Sequence, residues 1–245
     1  MSRVIWGFTT RTGGTSEGPY RSLNLSGSVG DEPARVRANR QIALAALGFG
    51  RDAPVAVAAQ QHGNRVIRVG TFPRRRASAG DWIEAGPGDA LITGCTGQVL
   101  AVLVADCAPV LLADPAGGWV GAVHAGWRGL AAGVVEATVA AMCRESGRAP
   151  SELEAYVGPC IRDCCYEVGE EVARAVGRAT ARRGGRWRLD VAQAARARLL
   201  EAGLLARRVW LDGRCTACCP ELFFSHRRDG PPTGRMAGLV AWTEA

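Results

Sequence analysis

The chain has 245 residues, which is long enough to bury a substantial core, and we expect one domain spanning residues 1–245. Its formal net charge is +7, but the thirty basic residues are all arginines. Without lysine the chain has neither a P-loop nor a Schiff-base residue. The arginines are spread along the chain, apart from the three consecutive arginines at 74–76, so we expect no nucleic-acid partner.

The N-terminal residues do not resemble a signal peptide, and no apolar run is long enough to cross a bilayer. We therefore expect a soluble cytoplasmic protein with no membrane partner. Nine cysteines are an odd number, and a disulfide framework is not expected in this compartment. The thiols are then free, metal-bound or reactive. The oligomeric state is left open, with a monomer as the expectation.

Strand-like and helix-like segments alternate along the whole chain. Short apolar runs predict strands at 55–59, 65–69, 90–93, 99–105, 110–113, 119–124, 153–157, 209–211 and 237–242. Capping residues and apolar spacing predict helices from Pro33 to before Gly48, over 129–146, over 169–183, and from Asp190 to before Gly203.

The segment 110–124 contains two strand-like runs separated by a short Asp-Pro-Ala-Gly-Gly turn. This spacing predicts an antiparallel hairpin, because a parallel connection needs a much longer crossover. The sequence therefore predicts a mixed α/β (α+β) domain, with a mixed β-sheet flanked by helices. The segment 73–80, which contains the three consecutive arginines, is expected to be a solvated loop.

The chain has only three histidines, and each lies where an apolar run meets a glycine or arginine turn: His62, His124 and His226. Any one of them could be a surface or hydrogen-bonded core residue. Cys107, however, follows an apolar strand, and His124 ends the next strand of the hairpin. If the register brings these two together with His62, they supply the ligands of an open zinc site or a nucleophilic Cys/His pair.

The remaining cysteines fall into two groups and two isolated positions. A structural zinc site shared by the groups is one interpretation, and buried, unreactive thiols are the other. The groups are Cys160, Cys164 and Cys165, and Cys215, Cys218 and Cys219; the isolated residues, Cys95 and Cys143, are expected in the core.

Arginines in glycine-rich turns are candidates for holding phosphate or ribose, although exposed arginines are common. These candidates are Arg11, Arg128, Arg227, Arg228 and Arg235.

Several motifs, in this order, closely resemble the YfiH/YlmD family, which is described as a polyphenol oxidase or laccase-domain family and includes purine nucleoside phosphorylases. The resemblance runs from residue 5 to about 241. The motifs are TRTGG (10–14), LNL (23–25), VGD (29–31), QQHG (60–63), DALIT (89–93), ADCAPV (105–110), AVHAGWRG (122–129), GPCI (158–161) and FSHRRDG (224–230).

The resemblance implies a YfiH-like fold with a zinc site formed by His62, Cys107 and His124, of which Cys107 and His124 are expected to take part in catalysis. Copper is also compatible with these ligands. It further implies phosphorolysis of adenosine, inosine, guanosine and methylthioadenosine, and deamination of adenosine at the same site. Arg228 is expected to bind substrate and assist catalysis, and Arg11 to bind substrate.

Three other functions remain open. A conventional multicopper polyphenol oxidoreductase needs about ten histidines for its copper centres, so three histidines argue against it. A cytoplasmic amidase that edits a peptidoglycan precursor would need no phosphate. A zinc-binding partner protein without enzymatic activity would lose its fold, and no specific catalysis, when Cys107 is replaced.

Overall fold

The computed structural model describes residues 3–71 and 80–243. The three arginines at 74–76 and most of the loop expected at 73–80 lie outside the described residues. The described strands are β1 Arg3–Phe8, β2 Val55–Ala59, β3 Val66–Arg68, β4 Ile83–Pro87, β5 Ala90–Thr93, β6 Val99–Val104, β7 Ala108–Asp114, β8 Trp119–Ala125, β9 Glu154–Val157, β10 Glu167–Val168, β11 Thr180–Arg183, β12 Arg186–Leu189, β13 Val209–Leu211 and β14 Met236–Thr243. The helices are α1 Pro33–Ala46, α2 Trp127–Ala131, α3 Val134–Ser146, α4 Glu170–Val176, α5 Val191–Glu201 and α6 His226–Asp229.

The strands form two large mixed sheets and one small sheet. The first large sheet has the order β1-β14-β6-β2-β4, and the second has the order β13-β9-β7-β8-β5-β3. Each contains both parallel and antiparallel pairs. The small sheet has the order β10-β12-β11. The mixed α/β class is therefore confirmed, with the strands divided among three sheets.

The two large sheets pack face to face, with helices on both outer faces. Leu100 of the first sheet and Leu111 of the second belong to one fully buried cluster between the sheets. The next residue along each strand faces the helices instead. Ala101 packs in a cluster with Leu44 of α1, and Leu112 packs with residues of α3 and α5. This two-residue alternation buries both faces of each sheet and gives four layers, helix–sheet–sheet–helix.

The predicted strands are all present, with ends that differ by a few residues, and the hairpin is confirmed. In it, β7 and β8 are antiparallel, and Pro109 lies opposite His124. The strands β1, β4, β10, β11 and β12 were not predicted. The helices α1 and α5 were predicted, and the Asp190 side chain accepts a hydrogen bond from the Gln193 N–H as the cap of α5.

Two helix predictions need correction. The predicted helix 129–146 is two helices, because Gly133 adopts a left-handed φ of 81° between α2 and α3. The predicted helix 169–183 is wrong in its second half: α4 ends before Gly177, which has a φ of 72°, and the chain continues as β11. The alternation of arginine and alanine there fits a helix locally, but the segment pairs with β12.

Candidate metal centre

The ends of strands in both large sheets bring three side chains together. His62 lies in the turn that follows β2, Cys107 directly precedes β7, and His124 is the second-last residue of β8. Because Pro109 is opposite His124 in the β7–β8 register, Cys107 lies beside the end of β8. The strand register therefore brings Cys107 and His124 together with His62, which was the condition stated for the predicted site.

The three donor atoms face one another. The nearest ring nitrogens of the two histidines and the Cys107 Sγ all lie within 4.8 Å of one another. Cys107 Sγ is 3.9 Å from His62 Nε2. Gly126 leaves room for this cluster, since a Cβ there would lie 2.9 Å from Cys107 Sγ and 3.0 Å from His62 Cδ2.

Asp89, directly before β5, orients both histidines. Its Oδ1 accepts hydrogen bonds from the His62 backbone N–H and from His124 Nδ1, both at 2.8 Å. Its Oδ2 accepts from the N–H groups of Gln61 at 3.1 Å and Gly63 at 2.7 Å. With Nδ1 engaged, His124 presents Nε2 to the cluster, as in the carboxylate–histidine pairs that support metal ligands.

Asp106 fixes the turn that carries Cys107. Its Oδ1 accepts a hydrogen bond from Thr216 Oγ1 at 2.6 Å, and its Oδ2 accepts one from the Arg227 N–H at 2.7 Å. Asp106 has a φ of 92° and His62 a φ of 61°, which are uncommon conformations for residues other than glycine. Of the three described non-glycine residues with a positive φ, these two lie in or next to the cluster, and the third, Ala179, does not.

The cluster favours a thiolate beside an imidazolium when no metal is bound. Burial raises the pKa of Cys107, but the charge of His124 and hydrogen bonds from both histidines outweigh it and bring the pKa to about 6. Burial lowers the pKa of His124, but the Cys107 thiolate and Asp89 raise it to about 9. Two imidazoles and one thiolate suit zinc, with a coordination position left for a further ligand.

The cluster opens into a cavity of about 950 Å³. This is the size of a typical small-molecule site. Its walls include aromatic and basic side chains as well as the third histidine of the chain: Trp82, Trp127, Tyr166, Arg40, Arg128, Arg227, Arg235 and His226.

The structure does not bring Arg11 or Arg228 into the lining of this cavity. Arg228 donates to the carbonyls of Thr216 and Phe223 and pairs with Asp229. Arg11 donates to the Arg21 and Pro220 carbonyls and lies over the Phe224 ring. Both guanidinium groups therefore hold loops together, and the described contacts give no support to the substrate-binding roles predicted for them.

Sequence reasoning gave Asp89 no role in the site. The available signal was an aspartate directly before a strand of fully buried residues. A buried carboxylate needs several donors or a charged partner, so its position was informative. Its donors, however, come from 61–63 and from β8, and only the fold shows them.

The fold and the cluster together define the class of protein. It is a four-layer α/β domain with a His/Cys/His centre at the strand ends, open to a cavity. A family model described as multi-copper polyphenol oxidoreductase laccase matches residues 5–243, so the chain belongs to this family.

The relatives and solved structures agree with this assignment. The chain is 42% identical over 238 residues to a Deinococcus radiodurans protein named purine nucleoside phosphorylase, covering 95% of this chain and 87% of that protein. It is 37% identical over 253 residues to purine nucleoside phosphorylase YlmD of Geobacillus stearothermophilus, covering 98% and 91%.

The crystal structure of YlmD from Geobacillus stearothermophilus matches with a TM-score of 0.90 and 36% identity, over 98% of this chain and 92% of that one. The Bacillus licheniformis hypothetical protein YfiH matches with a TM-score of 0.88 and 34% identity, over 97% and 92%. Within 3–71 and 80–243, no helix is long and apolar enough to cross a membrane.

Proposed function

We propose that the protein is a zinc-dependent purine nucleoside phosphorylase. The observation that carries this proposal is the His62/Cys107/His124 cluster, which lies in the wall of a cavity lined with arginines and aromatic residues. The names of the relatives support the same activity. The expected substrates are adenosine, inosine, guanosine and methylthioadenosine, together with inorganic phosphate.

The cavity offers separate groups for the two substrates. We assign phosphate binding to Arg227 and Arg235, because guanidinium groups match the geometry of phosphate oxygens. Both also donate to backbone carbonyls, but unlike Arg11 and Arg228 they line the cavity. Trp127 and Tyr166 each have one ring face under an arginine, Arg128 and Arg227 respectively, and we assign the purine to the opposite faces. Arg227 and Arg235 take the role that the sequence had assigned to Arg228.

In the proposed reaction, a phosphate oxygen attacks the anomeric carbon of the ribose and the bond from that carbon to the purine nitrogen breaks. The products are ribose 1-phosphate and the purine, which takes up a proton as it leaves. Zinc, when bound, supplies positive charge that stabilises the negative charge developing on the base. His62, Cys107 and His124 hold the metal, and Asp89 fixes the orientation of His124.

Adenosine deamination is proposed in the same cavity. There a water adds to the purine carbon that carries the amino group, and ammonia leaves, so that inosine is formed. This reaction consumes no phosphate. The two activities are therefore separated by whether the product is adenine or inosine.

Zinc content and adenosine turnover, each measured for wild type, Cys107→Ala and Cys95→Ala, test the proposal. Wild type should release adenine only when phosphate is present. Cys107→Ala should lose the metal of the cluster and at least 100-fold in turnover. Cys95→Ala, which removes a partly exposed thiol outside the cluster, should behave as wild type.

Two results would contradict the proposal. One is full turnover by Cys107→Ala, and the other is a wild-type protein that binds zinc but leaves nucleosides unchanged. In the second case, oxidation of a polyphenol by the copper-loaded protein is the next assay, because the family description names that chemistry.

A further inference from the structure

Four cysteine side chains form a second cluster outside the cavity. The Sγ atoms of Cys164, Cys165, Cys215 and Cys218 all lie within 4.8 Å of one another. Cys164 and Cys165 lie in the turn between β9 and β10, and the other two lie between β13 and α6. None of them is among the residues that line the cavity.

The distances are close to those of a tetrahedral metal site. Cys218 Sγ lies 3.5 Å from Cys164 Sγ and 3.2 Å from Cys165 Sγ. Four thiolates around zinc, with Zn–S bonds of about 2.3 Å, lie roughly 3.8 Å apart. Shifts of a few tenths of an ångström to about 1 Å bring the observed sulfurs to this spacing. The Cys215-x-x-Cys218 spacing is itself common in zinc sites.

Hydrogen bonds and burial hold Cys215 in position. The Arg162 backbone N–H donates to its Sγ at 3.4 Å. The Cys218 N–H donates to the Cys215 carbonyl at 3.2 Å, which closes the turn between these two residues. The residue is buried, and a bridge between Cys160 and Cys215 fixes its backbone. Supporting hydrogen bonds of this kind are typical of metal ligands.

We propose that Cys164, Cys165, Cys215 and Cys218 bind a structural zinc ion that is separate from the His62/Cys107/His124 centre. Four sulfur donors select a soft metal and disfavour magnesium and calcium. Cys164 and Cys218 are exposed, so the metal can reach the site from solvent.

The position of the site indicates what the ion would stabilise. Thr216, beside Cys215, donates to Asp106, which directly precedes Cys107. Tyr166, beside Cys165, lines the cavity, and the Arg227 guanidinium lies 4.8 Å from the centre of its ring. Zinc would therefore join the two segments that form this wall of the cavity.

The experiment measures zinc per chain after reconstitution with zinc and removal of the excess. Wild type should retain two ions, Cys107→Ala one, and Cys164→Ser/Cys218→Ser one. Cys219→Ser is the matched control, since Cys219 adjoins Cys218 but packs beside Phe223 and Phe224. It should retain two. This result does not depend on nucleoside turnover, so the site and the proposed function can fail separately.

Cobalt(II) keeps the test valid if the double variant does not fold. Cobalt-loaded Cys107→Ala should show the visible bands and sulfur-to-metal charge-transfer absorption of tetrahedral thiolate coordination. The proposal is overturned if this spectrum is missing, if Cys107→Ala retains no zinc, or if the double variant retains as much zinc as wild type. It is also overturned if peptide mapping of the freshly purified, unreduced protein finds a disulfide between two of these four cysteines, all of which are free in the structure.

Discussion

Asp89 is the residue on which the geometry of the cluster depends most. One carboxylate accepts hydrogen bonds from the turn that carries His62 and from the His124 ring, although these come from different sheets. Burial raises the pKa of Asp89, but these hydrogen bonds and the charge of His124 outweigh it and leave the pKa below its usual value. Asp89 is therefore a positioning residue for both ligands.

Replacing Asp89 with Asn should weaken zinc binding about 10- to 100-fold, since supporting partners of metal ligands have effects of this size. The amide keeps the shape of the side chain but loses the charge and one acceptor. Competition with a chelator measures the affinity, and Asp52→Asn, at an exposed turn, is the control. An unchanged affinity in Asp89→Asn would show that Asp89 does not position the ligands.

The Cys107–His124 pair should make the stability of the metal-free protein depend on pH. The pKa of Cys107 is lowered from 9.0 to about 6, so its contribution is present above pH 9 and is lost as the pH falls through 6. The pKa of His124 is raised from 6.5 to about 9, so its contribution is present below pH 6.5 and is lost as the pH rises through 9.

Between about pH 6.5 and 9 the rise of the Cys107 contribution offsets the fall of the His124 contribution, so the stability gained from the pair should stay level there and decline as the pH falls from 6.5 through 6. The measurement is the Tm of chelator-treated wild type minus that of Cys107→Ser from pH 5 to 9. A difference that does not decrease as the pH falls below 6.5 would contradict the ion pair.

The sequence could predict the three candidate ligands because histidine is scarce and each ligand lies near a strand end. It could not predict the directions of the arginines. Arg11 and Arg228 occur in glycine-rich motifs, as Arg227 and Arg235 do, but only the last two line the cavity. The direction of a long side chain depends on which carbonyls the fold places near it, and sequence spacing does not give this information.

At the scale of elements, the start of α2 determines how closely the cluster can pack. Gly126 precedes this helix with a φ of −77°, which any residue can adopt. Gly126→Ala should therefore act through contact alone, since the added Cβ would lie 2.9 Å from Cys107 Sγ.

We expect Gly126→Ala to reduce zinc affinity at least 10-fold. It should lower the free energy of unfolding of the metal-free protein by about 1–3 kcal/mol, the usual cost of overpacking. Gly50→Ala is the control, because a Cβ there meets nothing within 4 Å. Equal zinc affinity in the two variants would mean that the cluster tolerates the extra atom.

The elements also show where sequence patterns are insufficient. The fully buried β7 could be predicted because its apolar run is bounded by turn residues. The pair β11–β12 could not, because β11 is largely exposed and falls within the helix-like pattern of 169–183, so the segment before the Gly184–Gly185 turn does not alternate as a strand does. In that hairpin, the pairing of the strands outweighs the local helical preference.

At the scale of the whole molecule, the core between the two large sheets joins all layers into one unit. Leu111 is fully buried there, with residues of both sheets in its cluster. Leu111→Ala should lower the free energy of unfolding by about 2–5 kcal/mol, the usual effect of such a cavity, and leave zinc binding intact.

Urea denaturation should show one cooperative transition for wild type and one for Leu111→Ala, with the midpoint of the variant at a lower urea concentration. This result would also support the prediction of a single domain over residues 1–245. Two separate transitions, with only one of them shifted by the substitution, would contradict it.

The phosphate dependence of adenosine cleavage by the zinc-loaded wild type tests the central claim most directly. When phosphate is present, we expect ribose 1-phosphate in an amount equal to adenine plus the hypoxanthine formed by way of inosine, and when phosphate is absent we expect no free purine. Adenine released at the same rate without phosphate, together with free ribose, would make the protein a hydrolase and contradict the proposed phosphorolysis.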